Sequence, residues 1–203
     1  AGAGNWSHPS VCEGVGFFHQ PISYSAQCHA RELRWRDDPE QARGVLRTFF
    51  EHQRADGSLH RRIYFNHLEG TDYYHANWGD ALLALDAVWP DDASVREMYP
   101  KLRRFAEWLV TTRDAEGSGM FDVVDQYETG QEYMSRYQAV DPGADQYGWE
   151  NRLRLKGIDV TVYAYALFRA LERLSPRAGV TSEDGARWTD LAARTRDAVR
   201  GRM

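Results

Sequence analysis

The segment HANWGDALLALDAVW, residues 75–89, decides the fold class of this chain. Its large apolar side chains recur three or four positions apart, at Trp78, Leu82, Leu85 and Trp89. This spacing puts them on one face of an α-helix, the face that a folded protein buries. Residues 90–92, Pro-Asp-Asp, then end the helix and supply a capping side chain for the next one.

The same period predicts five further helices, at residues 21–35, 38–54, 93–112, 158–174 and 182–202. The six helices form three hairpin-like pairs, separated by loops that are long or rich in aromatic and polar residues, at 1–20, 55–75 and 115–157. Loops beyond about a dozen residues are usually functional or disordered, and the third has too many aromatic residues for disorder. We therefore expect one all-α domain over residues 1–203, an α-helical toroid whose binding face carries these loops.

Composition excludes several classes of function. The 203 residues include 25 basic and 30 acidic side chains without a basic block, so we expect no nucleic-acid partner. No apolar run approaches the roughly 20 residues that cross a bilayer, and no signal peptide is visible, so we expect no membrane span and favour a cytoplasmic bacterial protein.

Cys12 and Cys28 lack zinc-ligand spacing, although one bridge between them is geometrically possible. The seven His residues are scattered, and we expect no metal site and no cofactor.

The richest cluster of reactive side chains lies in residues 122–137, DVVDQYETGQEYMSRY. Its four carboxylates, within eleven residues, are Asp122, Asp125, Glu128 and Glu132. Carbohydrate chemistry needs a proton donor near the glycosidic oxygen, groups that bind hydroxyls, and aromatic faces that stack on sugar rings. The same composition also fits a charged loop solvated on the surface, and the residues alone leave both interpretations open.

The run at residues 128–137 resembles the Glu-Ser-Gly-x-Asp-x-Ser-x-Arg-aromatic motif of the (α/α)6 glycoside hydrolases related to processing α-glucosidase I, trehalase and mannosylglycerate hydrolase. Residues 113–119 and 158–165 stand where that family places its preceding turn and its next inward helix. Residues 38–43 resemble the family's Asp-Pro-Glu-x-Ala-Arg helix start. The resemblance covers most of the chain and implies a glycosidase built on part of an (α/α)6 toroid.

The resemblance implies a role for each matched residue. Glu132 falls at the position of the general acid, normally an Asp, and its extra methylene moves the carboxyl group outward. Asp125 is the nearest rival for that role, and Asp122 is a weaker one. Glu128 and Arg136 match their counterparts, and we expect them to order the loop and to bind the sugar at the cleavage point.

The remaining candidates for substrate binding are Phe18, His19, Gln20, His75, Trp78, Gln131, Tyr137, Trp149 and Asp159. His19 and Gln20 replace the family's Trp-Asp pair, which puts the usual hydroxyl contact of that Asp in doubt and suggests an unusual substrate. Trp78 could stack on a sugar, although a Trp at helical spacing also fits the core. His75 and Asp159 could line the pocket or simply cap a helix.

The predicted helices account for only part of such a toroid, because an (α/α)6 toroid has six helix pairs and the sequence predicts three. Inverting hydrolysis also needs a second carboxylate, about 6.5–9.5 Å from the acid, to activate a water molecule. In the resembling enzymes this base follows the acid far downstream, so we expect a second chain or a missing C-terminal half to complete the toroid.

Two functions stay open at this point. The first is an inverting glycosidase that cleaves the α-glycosidic bond of an oligosaccharide or glycoside, with Glu132 as its acid. The second is a non-catalytic carbohydrate-binding or assembly protein with a degenerate glycosidase pocket. A toroid cyclase or lyase would need a metal site or a Tyr or His base that the sequence does not reveal.

Overall fold

The computed structural model describes residues 4–14, 16, 19–68, 73–143 and 153–202. This part of the chain contains seven α-helices, a short 3₁₀ helix at Gln126–Glu128 and two strands of two residues each. The helices are α1 (Ser23–Leu33), α2 (Pro39–Phe50), α3 (Trp78–Val88), α4 (Asp92–Arg113), α5 (Ser135–Val140), α6 (Ile158–Ala178) and α7 (Ser182–Arg202). The strands are β1 (Asp122–Val123) and β2 (Leu155–Lys156), which pair in antiparallel fashion.

The expected all-α fold is confirmed, and each of the six predicted helices is present. α2 is shorter than predicted, because it ends at Phe50 whereas the pattern extended it to residue 54. The prediction also missed α5, which lies inside the third long loop. With only six residues, α5 is too short to show a helical period.

Capping side chains fix where the helices begin. Asp38 accepts a hydrogen bond from the backbone N–H of Glu40 at 2.9 Å, and Pro39 follows it at the first position of α2. Asp91 accepts the corresponding bond from Ala93 at 3.0 Å at the start of α4. Each bond satisfies an N–H group that has no partner inside the helix, so the chain turns at defined points.

The helices pack in two layers. α1, α3 and α6 lie side by side in the first layer, since α3 contacts both of the others. In the second layer α2 packs against α1 and α3, α4 packs against α2 and α6, and α7 packs against α6. Long helices that follow one another along the chain therefore alternate between layers, which is the arrangement of an α/α toroid.

Aromatic side chains fill the space between the layers. Trp78 is 1% exposed, and its ring centroid lies 5.1 Å from that of Phe49 and 5.5 Å from that of Phe50. Trp78 therefore lies in the core, and its ring does not face a sugar site. α3 and α6 pack closely at Gly79, where an added Cβ would lie 2.5 Å from the Cα of Leu167.

Two further findings concern the function classes considered above. Among the described residues, no helix combines the length and apolar character that a membrane span requires. Cys12 and Cys28 are both free thiols, and each is half-buried. The bridge that the sequence left open between them is therefore not formed.

Candidate active site

The turn that carries Glu132 has an unusual backbone. Gly130 and Tyr133, with φ of 67° and 64°, both adopt the left-handed conformation, and they flank Gln131 and Glu132. For Tyr133 this conformation is strained, and the backbone N–H of Tyr133 donates to Oε1 of Gln126 at 2.7 Å, which helps to hold it. The turn therefore presents Glu132 in a defined position.

Tyr74 packs directly against this turn. A Cβ added to Gly130 would lie 2.1 Å from Oη of Tyr74, so a side chain here would force Tyr74 to move. The pKa of the Tyr74 hydroxyl is raised, chiefly by burial and further by the negative charge of Glu132. The carboxylate of Glu132 and the hydroxyl of Tyr74 therefore face the same region.

Tyr74 belongs to a cluster of three tyrosines from different parts of the chain. The rings of Tyr24, at the start of α1, and Tyr74 lie with centroids 5.8 Å apart. Tyr163, on the second turn of α6, interacts electrostatically with Tyr24. Burial, with smaller contributions from Tyr24 and Asp159, raises the pKa of Tyr163 to about 12. Sequence analysis missed these residues, and their only signal was a tyrosine near the start of each first-layer helix.

A polar network joins the turn to the start of α6. Gln131 donates through Nε2 to Oδ2 of Asp159 at 3.1 Å, and Nη2 of Arg136 lies 3.8 Å from the same oxygen. Arg136 also donates to Oε1 of Gln131 and to Oη of Tyr137, both at 2.7 Å. Oδ1 of Asp159 and Nε of Arg136 are buried, yet neither has a hydrogen-bond partner within the described part of the chain. The hydrogen-bonding capacity of these two atoms is therefore unused among the described residues.

Glu128 is buried near the turn, and both oxygens of its carboxylate accept hydrogen bonds. Its carboxylate accepts two hydrogen bonds from Arg113, at 2.5 and 3.1 Å, and a third from the backbone N–H of Val124 at 3.2 Å. Nε2 of His75 lies 3.5 Å from Oε2 of Glu128. Burial acts to raise the pKa of Glu128, but His75 and Arg113 outweigh it and hold that pKa below its ordinary value. Glu128 and His75 are therefore placed to order the loop at residues 115–157.

The two rival carboxylates are also committed to other partners. Asp122 is buried and pairs with Arg154 at 2.5 Å and with Lys156 at 3.0 Å, across the β1–β2 pair. Asp125 caps the 3₁₀ helix by accepting the backbone N–H of Tyr127 at 2.8 Å. Glu132 is half-buried and has no hydrogen bond or ion pair with another described residue. It is therefore the carboxylate of this run that is left free for a ligand.

The remaining predicted site residues are His19, Gln20, Phe18 and Trp149. His19 is exposed and its Nδ1 contacts the carbonyl oxygen of Gly16, while Gln20 is buried with Oε1 unpartnered among the described residues. Phe18 and Trp149 lie outside the described residues. Within the described ranges, no group of three or more His, Cys, Asp or Glu side chains is placed to hold a metal ion.

A helical toroid whose free carboxylate stands beside tyrosine rings and unpaired polar atoms has the features of a carbohydrate-active domain. Residues 19–203 match the family model described as the mannosylglycerate hydrolase MGH1-like glycoside hydrolase domain. The chain belongs to this family of glycoside hydrolase domains, and the resemblance drawn from its motifs is confirmed. No curated protein matches the sequence significantly.

Solved structures from Thermus thermophilus share the fold. An uncharacterized conserved protein aligns with a TM-score of 0.75 and 16% identity, over 98% of this chain and 59% of that one. A GH63 mannosylglycerate hydrolase in complex with glucose aligns with a TM-score of 0.69 and 17% identity, over 98% and 60%. The same hydrolase with Tris and D-glycerate gives 0.68 and 15%, over 97% and 62%. The chain thus spans about three fifths of the length of these relatives.

Proposed function

We propose that this domain supplies the general acid of an inverting glycoside hydrolase that cleaves an α-glycosidic bond, and that Glu132 is that acid. The observation that carries the proposal is the contrast among the four carboxylates of the run. Asp122, Asp125 and Glu128 are each tied to protein partners, whereas Glu132 is free, half-buried and held on a defined turn. A general acid must reach the glycosidic oxygen without being paired elsewhere.

In this mechanism the carboxyl group of Glu132 protonates the leaving oxygen as the bond to the anomeric carbon breaks. A second carboxylate, about 6.5–9.5 Å away, removes a proton from the water that attacks the opposite face of the sugar. We propose that this base lies in the part of the toroid that the chain does not contain.

The proposed sugar site lies between the tyrosine cluster and the polar network. The buried, unpartnered Oδ1 of Asp159 is suited to accept a sugar hydroxyl, and Nε of Arg136 is suited to donate to one. The rings of Tyr24 and Tyr74 would supply apolar surface beside the ring of the sugar. Because structures with glucose and with D-glycerate exist for a hydrolase of the same fold, we propose short α-glucosides and α-mannosides, including mannosylglycerate, as first substrates.

An apolar edge supports the proposal that further helices complete the toroid. Ile158 and Val162 on α6 are 40% and 47% exposed. Beside them a groove of about 350 Å³ runs between α6 and α7, and Tyr165 and Val199 are among its lining residues. Exposed apolar surface of this kind marks a site of contact with other protein. We propose that the rest of the full-length protein, or a second chain, covers it.

The second candidate function is carbohydrate binding without catalysis. It is favoured by Gln20, a buried amide where the resembling enzymes carry an Asp, and by the Glu in place of Asp at residue 132. In this case the site would hold a sugar but would not cleave it.

Glu132→Gln in the full-length protein tests the proposal. We expect kcat on mannosylglycerate or an alkyl α-glucoside to fall about 10²–10⁴-fold, the usual contribution of a general acid, with sugar affinity retained. Glu183→Gln, at an exposed position on α7, is the matched control and should leave kcat unchanged. NMR of the first-formed anomer reports inversion or retention.

The outcomes separate the two candidates. Unchanged turnover in Glu132→Gln would reject its role as acid. Sugar binding by the wild-type full-length protein without any turnover would favour the non-catalytic function instead.

A further inference from the structure

Three segments of the chain meet at Glu128. Arg113, the last residue of α4, donates from Nη1 and Nη2 to its two oxygens. Val124, directly after β1, donates its backbone N–H to Oε2. The loop before α3 brings His75, whose backbone N–H donates to the carbonyl oxygen of Glu128 at 2.8 Å. Glu128 therefore joins α4 and the β1 segment through its side chain and the loop before α3 through its backbone carbonyl.

The pair formed by Arg113 and Glu128 has little freedom to move. Their side chains are only 8% and 6% exposed. The guanidinium of Arg113 also lies over the rings of Trp108 and Tyr73, 5.2 and 5.4 Å from their centroids. Two parallel hydrogen bonds between a guanidinium and a carboxylate fix both distance and orientation. Arg113 thus holds Glu128 in one geometry.

Glu128 ends the 3₁₀ helix that directly precedes the turn carrying Glu132. Two residues later, Gly130 lies against Tyr74 with no space for a side chain, and the left-handed Tyr133 ends the turn. A displacement of Glu128 would therefore carry Glu132 with it. Arg113 has no hydrogen bond to the polar network around Asp159, which belongs to the proposed sugar site.

We propose that Arg113 is a positioning residue for the catalytic acid, acting through Glu128 to set the location of Glu132. The proposal rests on the proposed function of Glu132. It predicts that loss of the pair impairs proton donation more than substrate binding.

The test uses the double variant Arg113→Met/Glu128→Gln in the full-length protein, because removing both charges leaves no unpaired ion in the interior. On an alkyl α-glucoside we expect kcat to fall about 10²-fold, the effect of a displacement near 1 Å, with little change in KM. On α-glucosyl fluoride we expect almost no loss, because fluoride leaves without a proton from the acid. A merely structural defect would lower both activities equally.

Two comparisons sharpen the test. Arg177→Met/Asp86→Asn removes an ion pair of 2.5 Å that joins α6 to α3 away from the turn, and it should leave both activities unchanged. Arg113→Lys keeps the charge but not the two parallel hydrogen bonds, so it should restore only part of kcat.

Amide hydrogen exchange gives a readout that does not depend on turnover. Exchange at residues 128–133 should accelerate about 10-fold or more in the Arg113→Met/Glu128→Gln variant and stay unchanged in the control pair. Unchanged exchange in these residues, or equal loss on glucoside and fluoride, would overturn the positioning role. If the wild-type protein hydrolyses neither of these compounds nor mannosylglycerate, the proposed function is rejected, and the exchange rates alone decide whether Arg113 holds the turn.

Discussion

The single variant Arg113→Met should be among the most destabilising substitutions in this domain. It removes both side-chain hydrogen bonds that Arg113 donates to Glu128, at 2.5 and 3.1 Å, and leaves that carboxylate buried without a cation. Met fills much of the same volume against Trp108 and Tyr73, so the loss of packing is small. The change therefore leaves an unpaired interior charge and also removes the cation–π contacts of the guanidinium with the two rings.

The burial of the pair formed by Arg113 and Glu128 sets the size of the loss in the free energy of unfolding. A pair this enclosed cannot be rehydrated when one partner is lost, and breaking such a pair costs about 3–5 kcal/mol. The pair between Arg177 and Asp86 is a useful contrast, because its side chains are 31% and 16% exposed. Arg177→Met should cost no more than about 1 kcal/mol.

The cost of Arg113→Met should shrink as the pH falls. In the native protein the pKa of Glu128 is depressed, so its stabilising contribution is complete above the unfolded pKa of about 4.3 and is lost as the pH falls through the lower folded value. Without Arg113, one of the two partners that oppose the effect of burial is gone, so we expect this pKa to rise. The penalty is then full at neutral pH and disappears as Glu128, or His75 beside it, takes up a proton.

Urea unfolding followed by far-ultraviolet circular dichroism at pH 7.5 and pH 5 measures both effects. We expect the difference in free energy of unfolding between native protein and variant to be clearly larger at the higher pH. A loss below about 1 kcal/mol, or a loss that does not change with pH, would refute the reasoning from the buried pair.

Three further predictions follow from single contacts. Gly130→Ala should cost about 2–4 kcal/mol in thermal unfolding, because it combines a left-handed φ of 67° with a clash at Oη of Tyr74, and Tyr74→Phe should relieve part of the loss. Trp78→Ala should cost about 3–5 kcal/mol, and a cost below about 1 kcal/mol would contradict its position in the core. Asp38→Ala should cost about 1 kcal/mol through loss of the α2 cap, whereas Asp38→Asn should be nearly neutral.

Helices were the part of this fold that the sequence predicted best. The spacing of Trp78, Leu82 and Leu85 is a local property, and it located α3 without any knowledge of the neighbouring helices. The end of α2 was misplaced because apolar residues stop near Phe50 while polar residues compatible with a helix continue to residue 54. α5 was missed because six residues contain fewer than two turns.

The candidate site was predictable only in part. The family motif pointed to the loop and to Glu132. Without that resemblance, the sequence gives no reason to prefer Glu132 to Asp122 or Asp125 as the acid. Tyr24 and Tyr163 were not predicted, since they meet only when α1 and α6 are brought to the same face. Residue type and spacing within one segment do not show which residues of distant segments come into contact.

The sequence by itself determined the helices, the loop that bears the carboxylates, and the family to which the chain belongs, because periodicity and motifs are read within short windows. The tertiary structure alone decided which carboxylates are paired with basic side chains. Arg113 lies 15 residues from Glu128, and Arg154 lies 32 residues from Asp122. The long-range packing that buries these pairs is also what leaves Glu132 free.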